Sequence, residues 1–400
     1  MKYFIIAGEA SGDLHASNLI KQIRLQDPSA EFVGLGGDKM CAAGCALRQH
    51  YREMAYMGVF AVLAHLPAIR RNFRIAHESL LAYRPDILIL VDYPSFNLKI
   101  AAYCRKHLPD TKIYYYIPPK VWAWKTWRVH KIARLCDKVL GIFPFEPAFY
   151  AKYGYACTYM GNPTNDTIRE WCEEQNIVSD EEPRENIIAI LPGSRRSEIT
   201  HCLPTMLAAA RRVNQRLGNN YRIMVTAAPG IEDSFYGRYL EGERLTRDTY
   251  GVVAHARAAV VNSGTATLET ALLHCPQTAV YYIACSRWLE WLFRPILFRI
   301  PHFTLVNILV DNRQWTMDKR QRTKDKGERR EEKGEKREGQ AIIEELIASR
   351  FTEENVENEL YRLLTDEVYR RRMLDGYTRI RSILGSSPAA RTAAKIITCK

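Results

Sequence analysis

No uninterrupted apolar run in this 400-residue sequence reaches the roughly eighteen residues that a membrane-spanning helix requires. The opening run Met1-Lys-Tyr-Phe-Ile-Ile-Ala7 stops at Gly8-Glu9, too early for a secretion signal. The ten cysteines are scattered, and the closest pair, Cys41 and Cys45, has no second pair at a zinc-like interval. Neither a metal site nor a disulfide framework is therefore encoded, and a reducing compartment suits such thiols best. Together these absences predict a soluble, cytoplasmic protein. Also missing is a basic arm or an alternation of aromatic and basic residues, so the net charge of +12 predicts no nucleic-acid partner. Gly34-Leu-Gly-Gly-Asp38 lacks the third glycine of a dinucleotide fingerprint, which disfavours a dehydrogenase.

What is present is an alternation of short apolar runs with helical patterns, the signature of parallel α/β sheets. Strands are expected at 3–7, 31–35, 86–91, 112–117 and 139–143, with a helix from about 14 to 25 and another beginning between 122 and 132. The polar stretch 165–186 holds Pro183 and few strand signals, and after it the pattern restarts. Strands follow at 187–191, 222–227, 258–261 and 279–282, with a helix near 205–217. Two Rossmann-like halves facing a central cleft are thus predicted, an N-terminal one over 1–164 and a C-terminal one over 187–312. Residues 313–339 hold eleven Lys/Arg and seven Asp/Glu and almost nothing apolar after Met317, which predicts a solvated, disordered insertion. Residues 340–400 return to helical periodicity, with Leu360, Leu363, Leu364 and Val368 in a stripe.

Six stretches carry candidate functions, each with a plainer alternative. Gly8-Glu-Ala-Ser11-Gly12-Asp13 stands between strand and helix, where backbone and helix N-terminus suit an anionic ligand, or where Asp13 simply caps its helix. Asp92 ends a buried strand and can act as a general base, or cap the helix that Pro94 begins. Trp122 and Trp124 can stack on a sugar or touch an acyl chain, or cover the core. Pro192-Gly193-Ser194-Arg195 offers N–H groups and a guanidinium to a diphosphate, or is a surface turn. Ser263-Gly264-Thr265 repeats that logic, with Glu269 a turn later accepting from ribose hydroxyls or serving the helix dipole. Two such turns after strands in one domain argue for a nucleotide. The apolar stretch Tyr56–Pro67, followed by Arg70, Arg71 and Arg74, suits a membrane interface or a buried helix.

The ordered set resembles the lipid-A-disaccharide synthase family over nearly the whole chain: Gly8–Asp13, Met57-Gly58, Asp92-Tyr-Pro-Ser-Phe-Asn97, Val121-Trp-Ala-Trp124, Phe143-Pro-Phe-Glu146, Leu191-Pro-Gly-Ser-Arg195, Ser263–Glu269 and Asn307. The resemblance implies a B-type, inverting glycosyltransferase needing no metal and no cofactor. Its donor would be UDP-2,3-diacylglucosamine and its acceptor 2,3-diacylglucosamine 1-phosphate. The products would be the β-1,6 disaccharide 1-phosphate and UDP. It further implies Asp92 as the base and Arg195 at the diphosphate. Gly193, Ser194, Ser263, Gly264, Thr265, Glu269 and Asn307 fall on the donor side. Gly8, Ser11, Gly12, Asp13, Met57, Gly58, Trp122 and Trp124 fall on the acceptor and lipid side. Peripheral contact with the cytoplasmic face of the inner membrane is implied, and so is a homodimer with exchanged C-terminal segments. Ser95 stands where many members carry a second acid, so Asp92 alone can be the base in that motif. Two rivals are a UDP-N-acetylglucosamine 2-epimerase and a non-catalytic, membrane-associated nucleotide-sugar binder. The apolar 56–66 stretch speaks against the first, and intact Asp92, Arg195 and Glu269 against the second.

Overall fold

The computed structural model describes residues 1–54, 66–123, 125–177, 184–283, 302–311 and 341–399. Met57, Gly58, Trp124, the apolar stretch before Leu66 and the charged segment 313–339 lie outside the described residues.

The chain forms two compact units, Met1–Asp166 with Leu384–Lys400, and Thr167–Ile383. The first contains β1 (Lys2–Ala7), α1 (Ala10–Gln26), β2 (Glu31–Gly36), α2 (Asp38–Ala42), β3 (Ala46–His50), α3 (Leu66–Tyr83), β4 (Ile87–Val91), α4 (Pro94–His107), β5 (Lys112–Tyr116), α5 (Arg128–Leu135), β6 (Lys138–Gly141), α6 (Glu146–Ala151) and β7 (Thr158–Tyr159). The unit boundary falls inside α7 (Pro163–Glu174). After it come β8 (Glu185–Leu191), α8 (Arg196–Arg216), β9 (Arg222–Thr226), α9 (Asp233–Gly237), β10 (Arg244–Thr246), α10 (Thr249–His255), β11 (Ala256–Asn262), α11 (Thr265–Leu272), β12 (Gln277–Tyr281), α12 (Leu305–Val310), β13 (Glu345–Ile347), α13 (Glu353–Thr365), α14 (Glu367–Leu384) and α15 (Ala389–Thr398).

Each unit is built on one parallel sheet. The seven strands of the first run β3-β2-β1-β4-β5-β6-β7, and the six of the second run β10-β9-β8-β11-β12-β13. Central strands such as β4, Ile-Leu-Ile-Leu-Val, are buried at every position because helices cover both faces. In each sheet the order reverses beside one central strand: between β1 and β4, and between β8 and β11. Loops leaving the carboxyl ends of strands at such a reversal are splayed apart and leave a crevice. The register Ala7↔Val91↔Tyr116 brings residues 8, 92 and 117 to one edge of the first sheet. In the second, Val261 pairs with Leu191, so the turns beginning at Pro192 and Asn262 leave side by side.

The C-terminal stretch differs from the expected single group of helices over 340–400. Its α13 and α14 belong to the second unit, whereas α15 joins the first. The reason is its apolar face: Ala393, Ala394 and Ile397 are buried in the core that Ala16, Leu19, Ile20 and Ile23 of α1 also build. Helix α1 also starts earlier than expected, at Ala10, with Glu9 as its extended cap residue. Ser11, Gly12 and Asp13 therefore sit in its first turn rather than in a loop.

Candidate active site

The most unusual backbone in the first unit surrounds Asp92. Asp92 and Tyr93 both have positive φ, 43° and 44°, and Ile117 on the adjacent strand end has φ 59°. Left-handed backbone at three residues with side chains is costly and persists only where the surroundings enforce it. Here the Asp92 N–H donates to the Ile117 carbonyl at 3.2 Å. Its own carbonyl accepts from the Tyr115 hydroxyl and from Asn97 Nδ2, both at 2.7 Å. The side chain reaches solvent beyond the end of β4. Enclosing protein pushes the carboxyl above the usual carboxylate range, while the Lys120 charge and the Tyr93 N–H pull it back. A carboxylate so placed can take a proton from a hydroxyl brought to the crevice.

Other residues expected near it have partners within the protein or pack against it, Ser11 excepted. Asp13 is buried, and its carboxylate accepts from Gly37 N (2.8 Å), Met40 N (3.0 Å) and Lys39 N (3.1 Å). It caps α2 rather than its own helix, so neither a ligand contact nor the expected self-capping describes it. Gly8 makes room for a side chain: a Cβ there would meet the Tyr93 ring at 2.4 Å. The Tyr93 hydroxyl goes on to donate to the Met54 carbonyl at 2.8 Å. Gly12 is buried against β1 and Ser11 is exposed. Trp122 packs edge-on against Phe143 and Phe145, with centroids 5.8 and 5.1 Å away, and its Nε1 donates to Glu146 at 3.3 Å. It packs against the core on one side and stays half-exposed.

In the second unit the two turns at the sheet reversal differ in what they leave open. Gly193 has φ +112°, and a Cβ there would meet Asn262 Nδ2 at 2.5 Å and Glu198 Oε2 at 2.6 Å. The N–H groups of Ser194 and Arg195 donate to Glu198 Oε2 at 2.9 and 3.2 Å, and the Arg195 guanidinium pairs with Glu198 Oε1 at 3.0 Å. Glu198 thus occupies the donors that the sequence offered to a diphosphate. The Arg195 side chain stays largely exposed. An acid three residues after the cap position is the sequence signal that would have revealed Glu198. Around Ser263 the opposite holds. Ser263 N donates to Val280 O, but the cap residue of α11 is Gly264, which has no side chain to cap it, and Gly264 and Thr265 are exposed. A Cβ on Gly264 would meet nothing within 4 Å. This uncapped N-terminus is the better anion site of the two.

Glu269, a turn further along α11, is hydrogen-bonded to Tyr250 of α10. Burial raises its carboxyl above the usual range, and that bond opposes the rise. Asn307 departs from the expected direct donor contact. It is fully buried, its Nδ2 donates to Ile343 O and Glu345 Oε1 at 2.9 Å, and its Oδ1 accepts from Ile342 N and Ile343 N at 2.8 and 3.1 Å. With all four valences used, it clamps α12 to the segment entering β13. The cavity of about 560 Å³ in this unit, lined by Trp171, Arg222, Asp248 and His255 among others, contains none of the candidate residues.

Among the described residues no helix is long and apolar enough to cross a membrane. The fold is shared with solved structures of low identity. A putative UDP-N-acetylglucosamine 2-epimerase from Listeria monocytogenes matches with TM-score 0.57 and 10% identity, over 99% of this chain and 94% of that one. The calicheamicin glycosyltransferase CalG4 matches with TM-score 0.54 and 14% identity, over 99% and 97%. These likenesses establish the B-type architecture of two parallel α/β units and no more. Sequence goes further. The lipid-A-disaccharide synthase of Geobacter metallireducens is 32% identical over 403 residues, 99% of this chain and 96% of its own. That of Myxococcus xanthus is 31% identical over 408 residues, 99% and 96%. A family profile described as lipid-A-disaccharide synthetase matches residues 3–372. The chain belongs to the lipid-A-disaccharide synthetase family.

Proposed function

We propose that this chain is a lipid-A-disaccharide synthase, transferring 2,3-diacylglucosamine from its UDP derivative to 2,3-diacylglucosamine 1-phosphate with inversion. The observation that carries the reading is Asp92: a solvent-reaching carboxylate at the sheet reversal, on strained backbone held by three hydrogen bonds. In this reading Asp92 takes the proton of the acceptor's 6-hydroxyl as its oxygen forms a bond to the donor's anomeric carbon. The bond from that carbon to the UDP oxygen breaks, and UDP leaves with the electron pair. Ser263, Gly264 and Thr265 at the open end of α11 meet the charge on the departing diphosphate. Arg195 joins them by exchanging its Glu198 partner for phosphate, a stronger bidentate acceptor. Glu269, oriented by Tyr250, receives the ribose hydroxyls. Gly193, Asn307, Gly8 and Asp13 act by shaping the turns and not by touching substrate.

Diacylated substrates reside at a membrane, and the apolar 56–66 stretch with Arg70, Arg71 and Arg74 suits peripheral contact with the inner membrane's cytoplasmic face. A homodimer exchanging C-terminal segments is supported by α15, whose apolar face docks on α1 after the short linker Gly385–Pro388. The epimerase reading shares the fold but offers no use for a lipid-facing surface.

The test is Asp92→Asn. Disaccharide formation should fall at least a hundredfold, the usual lower bound for losing a general base, while UDP affinity measured by calorimetry is unchanged. Retention of wild-type turnover by Asp92→Asn would remove Asp92 from the reaction.

A further inference from the structure

Two local preferences are broken at Tyr93. It is a bulky aromatic residue in left-handed backbone, φ 44° and ψ 56°, and it directly precedes Pro94, where the chain is normally extended. Two contacts of its side chain hold it there. The ring lies over Gly8, just beyond β1, so close that a Cβ on residue 8 would meet ring carbons at 2.4 Å. The hydroxyl crosses to the chain after β3 and donates to the Met54 carbonyl at 2.8 Å. That acceptor is itself fixed. Met54 is buried, its N–H donates to Tyr51 O at 2.9 Å, and the neighbouring Glu53 carbonyl accepts from Asn72 Nδ2 of α3 at 3.1 Å. Asn72 Oδ1 accepts in turn from buried Gln49 Nε2 of β3 at 2.6 Å. Phe73, next to Asn72, stacks on Phe96 of α4 with centroids 4.5 Å apart. The anchor of Tyr93 is therefore braced against β3, α3 and α4 together.

We propose that Tyr93 is a positioning residue for the transfer: its hydroxyl on Met54 and its ring on Gly8 hold the left-handed pair Asp92–Tyr93, and so set the direction in which the Asp92 carboxylate meets the acceptor hydroxyl. The inference rests on the reading of Asp92 as the base. A strained pair relaxes toward ordinary backbone unless it is held at both ends. The bonds of Asp92 to Ile117, Tyr115 and Asn97 hold the end that faces the sheet. The Tyr93 side chain holds the other. Its own carbonyl accepts from Asn97 N at 3.1 Å, so the same residue also sets where α4 starts. Glycine is the usual choice for such backbone and would need no tether. A tyrosine there instead brings contacts that fix one conformation, next to the residue whose aim matters most.

The experiment measures disaccharide formation by the full chain in wild type, Tyr93→Phe, Gly8→Ala, Asp92→Asn and the double variant Asp92→Asn/Tyr93→Phe. Tyr93→Phe keeps the ring and removes only the tether, so kcat should fall about tenfold while the KM of both substrates holds. Gly8→Ala pushes the ring away and should lose more, about a hundredfold. A residue that acts through Asp92 has nothing to act on once the carboxylate is gone. With enzyme in excess over donor, the residual rate of Asp92→Asn should therefore change by less than about twofold when Tyr93→Phe is added. Wild-type kcat in Tyr93→Phe overturns the proposal, as does a loss confined to acceptor KM. A tenfold loss that persists in the Asp92→Asn background overturns it too, because a merely structural tyrosine would slow both. So does a loss no larger than the drop in folded fraction, read by circular dichroism at the assay temperature. An inactive Asp92→Asn with an unaffected Tyr93→Phe sinks this inference alone, whereas an active Asp92→Asn sinks the base itself.

Discussion

Replacing Asp13 with alanine separates a structural carboxylate from a ligand-binding one. The Asp13 side chain is 3% exposed and is the acceptor for three backbone N–H groups at the start of α2. In Asp13→Ala the donors of Gly37 and Met40 stay buried and lose their partner, at about 1–3 kcal/mol each. The Lys39 N–H lies nearer solvent and is rehydrated, so it adds little. The loss should therefore be about 2–6 kcal/mol, larger than the ~1 kcal/mol of a typical exposed cap. Asp13→Asn keeps one oxygen for the two buried donors and should lose about 1–2 kcal/mol. Urea unfolding gives the global cost, and hydrogen exchange of the Gly37, Lys39 and Met40 amides localises it: their protection should collapse first in the alanine variant. An Asp13→Ala protein with unchanged unfolding midpoint and amide protection, but raised acceptor KM, would refute the capping account and return Asp13 to the substrate side.

Three other perturbations follow from the same geometry. Glu146 is buried and its carboxyl is pushed up to about 7 from 4.5. The folded state thus holds a proton that the unfolded chain releases between those values, and stability falls as pH rises from about 4.5 to 7, by about 3 kcal/mol for a shift of this size. Urea midpoints of the wild type should show this slope and Glu146→Gln should abolish it; a slope that survives the substitution belongs to another group. Gly193→Ala places a methyl 2.5 Å from Asn262 Nδ2 at φ +112°, so a cost of about 1–3 kcal/mol and a weaker UDP affinity are expected by thermal unfolding and calorimetry. Asn307→Ala opens four hydrogen bonds of the clamp on Ile342, Ile343 and Glu345, and should lower the unfolding midpoint by about 2–4 kcal/mol; unchanged stability with lost UDP binding would restore Asn307 to the nucleotide.

The long buried strands were legible because β1, β4, β8 and β11 are continuous apolar runs between turn residues, a pattern that survives without tertiary context. Short edge strands were not: β3 reads Ala-Leu-Arg-Gln-His and β13 Glu-Leu-Ile, and pairing with a neighbour defines them more than composition does. Helix α8 starts at Arg196, ahead of the helix expected near 205–217, and runs through Pro204 although an interior proline removes one helical hydrogen bond. At the site, residue types that suit anions were visible, but the partners already holding them were not. Asp13 is spent on an N-terminus 24 residues away, and Asn307 on a strand more than 30 residues later. Such contacts are long-range and leave no periodic trace. Glu198 was within reach, since an acid three residues after a cap position is a local signal. From position alone, at the end of a strand buried on both faces, Asp92 was one candidate base with helix capping as the alternative.

The most direct test of the central claim is product analysis with the full chain, diacylated UDP-glucosamine and the diacylated monosaccharide 1-phosphate. The account predicts UDP and a β-1,6-linked tetraacyl disaccharide 1-phosphate in equal amounts, neither appearing without the acceptor. UDP released at the same rate without acceptor, or a donor epimerised with no disaccharide formed, would contradict it.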